Sequence, residues 1–449
     1  MNRGLKTILI ILLIVLLSII SFVGLFVQDT KFMKNLLPDY QLGMDLDGYR
    51  AVTVNVSDET ETVYYDKDGN RVDEEAEDGT TEEIPVNTAD KLTKENFEKV
   101  KKIVQARLDD YNVAEYLIRL DEDTGTMTVE LPENDSTDTA TQYIYTKGEF
   151  TIEDENGNVL LDNSNLDMVQ VGYSNTGTAG TAVYLSFVFN KDSEEKLKEI
   201  TNTYVTTTNE DGEEEEKTVS INIDDSTLLE TSFDEEIVNG ILPLTLGTTT
   251  DSDTLSTYIE QASNIAVLLN NEELPIEYTV DQNRFIKSDI ELNDLFIPAI
   301  VLGAILLIGF IVLIVKYKKL GLLGVISYIG YIAVLLIIVR YTNLVITIEG
   351  IFGLLISALL NYILLVYVLH SLKNKEKDLI EYKNTYNKSM LSMVLVLIPT
   401  MIIGIILCFS TWLPIFSFGT VIFWGILTMA VYNAVVTRML FLNTIKIKE

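Results

Sequence analysis

Residues 7–27 read TILIILLIVLLSIISFVGLFV, a run of 21 positions without a charged side chain. An α-helix rises about 1.5 Å per residue, so about 20 apolar residues cross the ~30 Å hydrocarbon core of a bilayer. This run meets that length, and so do the stretches 295–315, 320–339, 344–369, 390–409 and 414–436. The pattern predicts six spans, with residues 28–294 hung between the first and the second.

Charge separates the two parts. The net charge is −33, from 33 Lys and Arg against 66 Asp and Glu. Outside residues 28–294 stand 14 basic and 5 acidic residues, which leaves 19 basic and 61 acidic inside, a net of −42. Such a domain repels nucleic acid and anionic headgroups, because phosphate binding needs clustered Lys and Arg. The bases of the apolar part lie in alternate loops. Arg3 and Lys6 precede the first span, Lys316, Lys318 and Lys319 follow the second, Lys373 to Lys388 follow the fourth, and Arg438, Lys446 and Lys448 follow the sixth. Alternating spans put all of them on one face, which the positive-inside rule makes cytoplasmic. The acidic domain is then outside. The first run is expected to be a retained anchor rather than a cleaved signal, since it is long and Leu25-Phe26-Val27 offers no small-x-small site. Cys408 is the single cysteine, so no disulfide within the chain is expected.

Within the acidic domain the periodicities alternate. Ala51–Val56 (AVTVNV) has period two and predicts a strand. Thr93–Tyr111 places Phe97, Val100, Ile103, Val104 and Leu108 on one helical face, with Thr93 as N-cap and Asn96 where a full capping box would have Glu or Gln. Tyr116–Leu120 and Thr126–Leu131 predict a hairpin about Asp123-Thr124-Gly125. Strands are expected at 182–189, 219–223 and 276–280, and helices at 193–201 and 253–269. Residues 57–90 read as a short hairpin at Thr62–Tyr65, turned by Asp68-Gly69-Asn70, that runs into an acidic loop. Thr206–Glu216 reads as a second solvated acidic loop. The sum is an α+β domain with helices on one face of its sheets.

Several ordered strings carry a resemblance. Leu42-Gly43-Met44-Asp45-Leu46-Asp47-Gly48 is similar to an LGLDLxGG signature, residues 106–115 (ARLDDYNVAE) to NRVDxLGVAEP, and Val129-Glu130-Leu131-Pro132 to VELPG. The pair 185–191 and 197–201, and the stretch 262–276, match further pieces. Ile346–Gly353 (ITIEGIFG), with Gly350 and Gly353, is similar to LTLPGIAG, and Gly425-Ile426-Leu427-Thr428 before Val436-Thr437-Arg438 to GILT…VTR. Taken in order, these resemble the SecD subunit of the bacterial protein-export machinery, of the RND superfamily, in a divergent copy. The resemblance implies an α-helical membrane protein with six transmembrane helices and a large α+β extracytoplasmic domain between helices one and two. It also implies a first helix at 1–28, a base at 29–153 and 253–290, a head at 154–252 that meets substrate, a five-helix block at 291–440 and a cytoplasmic tail at 441–449. The implied partners are a SecF-like membrane subunit, Sec channel subunits, unfolded secretory polypeptides and membrane lipid, without nucleic acid or cofactor.

One departure stands out. The family places an Asp, and an Asn two residues later, in helix four for proton passage; counting from Gly350 and Gly353, these positions hold Ile363 and Leu365. Asn361 and, four residues earlier on the same face, Ser357 are the nearby polar residues, and an amide does not titrate. Interhelical hydrogen bonding is the expected role. Glu349, Arg340 and His370 stand at helix ends, and a Glu349–Arg340 pair could bridge the turn 341–348. There is no G-x-x-x-x-G-K-[ST] loop, and a single His excludes both a Ser-His-Asp triad in the acidic domain and a His/Cys metal cluster. The resemblance then implies a non-enzymatic accessory subunit that assists export of secreted polypeptides by motion of the outer domain, coupled to the membrane block with the SecF-like partner. The alternatives are a transporter of lipid or small molecules, and a scaffold that has lost proton coupling.

Overall fold

Gly24 ends the first helix. Its φ of +107° suits glycine alone, and the chain leaves the helix Arg3–Val23 there to form a strand, Phe26–Asp29, antiparallel to Phe32–Asn35. Asn35 Oδ1 accepts from Leu25 N at 3.1 Å and Leu37 N at 3.2 Å, which fixes the exit. The predicted span to Val27 therefore overruns, because hydropathy counts Phe26 and Val27 as apolar in strand and helix alike. A computed structural model describes the chain apart from residues 1–2, 30–31, 66, 68–70, 73–78, 206, 209–213, 216, 225, 289, 291–292, 343, 374–378 and 444–449. The chain divides into two compact units, residues 1–48 with 287–449, and residues 49–286.

Among the described residues of the first unit, six helices have the length and apolarity to cross a membrane: 4–23, 296–317, 319–341, 348–372, 379–407 and 413–442. The fourth begins at Ile348 rather than Leu344, because Val345–Ile346 is drawn into a two-residue parallel pairing with Gln41–Leu42. Thr347 caps it, its hydroxyl accepting from Gly350 N at 3.2 Å. The sixth changes pitch at Asn433–Thr437, a π-helical turn. Gly321, Gly324 and Gly330 let the third helix pack closely, and over half of its apolar window is buried, against 6% for the second helix. The core of this unit runs through Tyr328, Tyr331, Leu365, Leu369, Val421 and Met429.

The second unit is built as two lobes. In one, Tyr278–Ile286, Tyr49–Val56, Met127–Pro132 and Leu117–Leu120 form an antiparallel sheet in that order. Helices Lys94–Asp110 and Thr137–Tyr145 cover it through Phe97, Val100, Val104, Leu108 and Ile144. Thr93 is the N-cap as expected, accepting from Asn96 N at 3.2 Å. The other lobe has a four-stranded sheet (Val159–Asp162, Phe150–Asp154, Val219–Ile223, Ser226–Thr231) and a three-stranded one (Leu166–Asn175, Thr181–Phe189, Ile241–Thr249). Both share one core with helices Glu194–Thr203 and Ser252–Asn270. Thr60–Tyr65 pairs with Arg71–Val72 and also with Thr80–Pro85, so the end of the expected acidic loop is a strand. The expected turn Asp68-Gly69-Asn70 lies outside the described residues. So does most of Thr206–Glu216, of which Thr207–Thr208 and Glu214–Glu215 pair antiparallel.

The chain passes from the first lobe to the second near Thr146–Glu149 and returns near Asn271–Leu274, where Leu274 N donates to Lys147 O at 2.9 Å. Arg107, fully buried, reaches both passages. Its Nη1 donates to Tyr143 O (3.3 Å) and Thr146 O (2.6 Å), and its Nη2 to Lys147 O (2.8 Å) and Glu272 O (3.0 Å). Burial pushes the guanidinium down to about 10, against the attraction of Asp224, so it stays charged at neutral pH. Gly148, at φ +79°, leaves the room it needs, since a Cβ there would stand 2.8 Å from Nη2.

Candidate functional site

In the first unit, polar side chains meet where the third, fourth and sixth apolar helices touch. Gly350, Gly353, Ser357 and Asn361 recur at helical spacing along one stripe of the fourth helix, and all are buried. This stripe faces the sixth helix at backbone distance. A Cβ on Gly350 would lie 2.4 Å from Ser417 Oγ, and one on Gly425 only 2.1 Å from Ser357 Oγ. Small residues in such stripes are what let apolar helices pack without a hydrophobic driving force.

A chain of hydrogen bonds runs along the seam. Asn433 Nδ2 donates to Asn361 Oδ1 and Thr437 Oγ1 to Asn433 Oδ1, both at 2.8 Å, and Thr437 and Ser327 hydroxyls meet at 2.7 Å. Asn433 sits in the π-helical turn, a feature that often marks functional positions. Its carbonyl accepts from Tyr386 OH at 2.6 Å, and Tyr331 OH donates to Gly425 O at 3.1 Å. Ser357 Oγ and Thr428 Oγ1 are buried without a partner among the described residues. These groups are amides and hydroxyls: they can orient helices and exchange hydrogen bonds, and they hold no net charge. Each interhelical bond of this kind is worth about 0.6 kcal/mol, with a maximum of about 1.7.

The Leu42–Gly48 motif docks at the start of the same helix. Asp45 Oδ2 accepts from Ile348 N at 2.6 Å, and Gly43 N donates to Ile346 O at 2.9 Å. Ser417 Oγ donates to Val345 O at 2.8 Å, so the sixth helix holds the same junction. Burial holds the Asp45 carboxyl above its ordinary range, the Ile348 amide pulls it down, and the charge of Glu349 adds to the rise. Leu46 is buried, and Gly48 ends the short helical turn Met44–Asp47 at φ +85°.

Sequence-predicted residues thus fall into three groups. Leu42, Gly43, Asp45, Gly350 and Gly353 lie along the start of the fourth helix, and Ser357, Asn361, Gly425 and Thr437 along the seam. Ile363 points outward, 47% exposed, and Leu365 is buried against the third helix, 3.1 Å from where a Cβ on Gly324 would stand. Arg438 is half-buried beside the seam, its Nε without a partner among the described residues. The Arg340–Glu349 pair does not form among the described residues: the Arg340 guanidinium lies over the Tyr40 ring at 4.3 Å instead. Asn433, Ser327 and Tyr331 went unpredicted. An Asn within an apolar span is a signal in itself, and Asn433 carries it.

No protein-family model matches the chain. Over 191 residues, 41% of this chain and 40% of the other, it is 27% identical to a protein translocase subunit SecD from Petrotoga mobilis. A crystal structure of SecDF in its super-membrane-facing form aligns over 98% of the chain and 56% of its own length, at a TM-score of 0.60 and 17% identity. A crystal structure of SecDF from Thermus thermophilus, a translocon-associated membrane protein, aligns over 98% of the chain and 59% of its own, at a TM-score of 0.48 and 19% identity. The chain therefore spans well under two thirds of each of these proteins. The chain is thus similar to a SecD subunit over a stretch of its sequence and to SecDF in fold, and six of its described helices are long and apolar enough to cross a membrane.

Proposed function

We propose that the chain is an accessory subunit of a Sec-type translocase that assists unfolded secretory polypeptides across the cell membrane. The observation that carries this reading is the coincidence of SecD-like sequence over 191 residues with a SecDF-like fold over 98% of the chain. In this reading residues 49–286 lie outside, between helices one and two, and both termini are cytoplasmic. The base (29–153 and 253–290) follows the membrane helices, and the head (154–252) meets substrate. A SecF-like subunit packs beside the 291–440 block, next to the Sec channel subunits and membrane lipid.

In this reading the outer domain moves with the membrane block, and the seam bears on how that movement is driven. A proton crossing 100 mV releases about 2.3 kcal/mol, and only a titratable relay can harvest it. Ile363 and Leu365 occupy the expected relay positions, and the seam is built of Asn, Ser, Thr and Tyr. Coupling then resides in the partner subunit. The same observation favours a second reading, a scaffold that keeps the fold without coupling.

Deletion of the chain is expected to slow export of signal-bearing polypeptides, and affinity purification from membranes is expected to bring down a SecF-like subunit with channel subunits. Unchanged export together with purification of the chain alone would overturn the reading. Export assistance that survives collapse of the proton gradient would select the uncoupled form.

A further inference from the structure

The strand Leu166–Asn175 (LDMVQVGYSN) is the outer strand of its three-stranded sheet, with Thr181–Phe189 in the middle and Ile241–Thr249 on the far side. Outer strands present unpaired backbone groups, and proteins disable them with proline, lysine, bulges or a covering element. Ile241–Thr249 carries such devices: Pro243 within it and a break of register against Val183 and Tyr184. Leu166–Asn175 has no proline or lysine, and its register with Thr181–Phe189 is unbroken from Met168 to Asn175.

Which backbone groups face outward follows from one side chain. Asn270 Oδ1 accepts from Val169 N at 2.7 Å, and Asn270 Nδ2 donates to Val169 O at 2.9 Å. Both backbone groups of Val169 therefore point away from Thr181–Phe189, and the side-chain amide fills one rung as a neighbouring strand would. In an antiparallel ladder the N–H and C=O of a residue face the same side, and the side alternates along the strand. Val171 and Tyr173 hence also face outward, while Gln170, Gly172 and Ser174 face the middle strand. Among the described residues, no hydrogen bond reaches the backbone of Val171 or Tyr173 from outside the sheet. Tyr173 is 55% exposed.

We propose that this edge takes up an extended, cationic stretch of another polypeptide as an added strand, starting next to the rung that Asn270 fills. The open N–H and C=O pairs select extended backbone, and charge selects the partner. Residues 154–252 hold 21 acidic and 4 basic residues, so a second copy pairing edge to edge would set two strongly anionic surfaces together. A stretch rich in Lys or Arg is attracted to the same surface. The inference rests on and deepens the export reading, naming the place where an unfolded chain docks.

The test uses the full chain in detergent and a short fluorescein-labelled peptide of alternating Lys, Thr and Val, with binding read by anisotropy. Proline at Val171 or Tyr173 deletes an outward donor and leaves the bonds to the middle strand in place. The Val171→Pro/Tyr173→Pro variant is expected to bind about tenfold more weakly, with melting close to that of the parent. A peptide with Glu in place of Lys is expected not to bind. Residue-resolved hydrogen exchange on the unaltered protein is independent of any folding defect: the peptide should protect the Val171 and Tyr173 amides. Absence of that protection, unchanged affinity in the double variant, or equal binding of the acidic peptide would overturn the proposal. A concentration-dependent dimer abolished by Val171→Pro would assign the edge to a second copy and overturn it as well. Protection by the peptide with export unchanged after deletion of the chain would leave the docking edge standing and remove the export reading alone.

Discussion

Replacing Arg107 with Met tests how the two lobes of residues 49–286 are held. Methionine keeps the length and apolar stem of the side chain and removes every donor. Tyr143 O, Thr146 O and Glu272 O then lose their guanidinium bonds, while Lys147 O keeps the Leu274 amide at 2.9 Å. A buried acceptor left unpaired costs about 1–3 kcal/mol. Three at the lower end give about 3 kcal/mol, offset in part because a cation no longer has to be buried. That burial is what lowers the guanidinium to about 10. We expect a net loss of about 2–3 kcal/mol. The assay is hydrogen exchange of the helix Lys94–Asp110 in the full chain, whose slowest amides report opening of the surrounding core. A loss of that size accelerates them about thirtyfold to about 150-fold. Arg107→Lys, with a charge but no planar fork, should fall between the two. An acceleration below about threefold in Arg107→Met would show that the carbonyls are satisfied without the guanidinium, and the reasoning would be wrong.

Asp45→Ala removes the acceptor for Ile348 N and should cost about 1 kcal/mol in melting of the apolar unit, with Asp45→Asn costing less. Because burial raises the folded pKa of Asp45 above its ordinary 3.8, the folded state binds this proton more tightly than the unfolded one. The stabilisation this gives is full below 3.8 and is lost as pH rises through the shifted value, so acidification from neutrality should raise the parent melting temperature more than that of Asp45→Asn. Gly425→Ala drives a methyl into Ser357 Oγ and should destabilise helix packing by about 1–3 kcal/mol in detergent melting. Ser357→Gly should restore it, and no rescue would refute the contact. Asn433→Leu should cost about 1–2 kcal/mol through its bonds to Asn361 and Thr437, and a double-mutant cycle with Asn361→Leu should show coupling.

Local patterns were readable from the residues. The stripe Phe97, Val100, Ile103, Val104, Leu108 is buried on the helix its spacing predicted, and the pair Leu117–Leu120 and Met127–Pro132 forms the expected hairpin. Arg107, on that same buried stripe, was not legible as a buried residue. Its acceptors lie 36 to 165 positions along the chain, and nothing local separates it from a solvated arginine. Hydropathy found the six membrane-length helices of the described residues and misplaced several ends: the fifth begins at Leu379 rather than 390, because the polar turn with Lys383 and Lys388 is helical too, and the sixth runs to Leu442 rather than 436. Phe26–Val27 and Val345–Ile346 are apolar yet extended, and their fate is decided by Gly24 and by pairing with Gln41–Leu42. Ile241–Thr249 escaped notice because Pro243 weighs against a strand, a weight that holds for inner strands and not for an edge. The seam was half visible: Asn361, Ser357, Gly425 and Thr437 stood out in sequence, and their meeting at Asn433 depends on a helix 72 residues away.

Asn361 and Ile363 are two residues apart, hence about 200° apart around the helix axis. A carboxylate placed at Ile363, which is 47% exposed, would leave the helix on its outward side. There an acid in mid-membrane costs about 2.5–3.5 kcal/mol. The same carboxylate at Asn361 would meet the Asn433 amide 2.8 Å away, inside a seam already lined with hydroxyls. On the fourth helix Asn361 is thus a sheltered address for an acid, and Ile363 is not. Exchanging a single NH2 for an oxygen at that address would turn a fixed structural joint into a protonatable one, with the backbone around it unchanged.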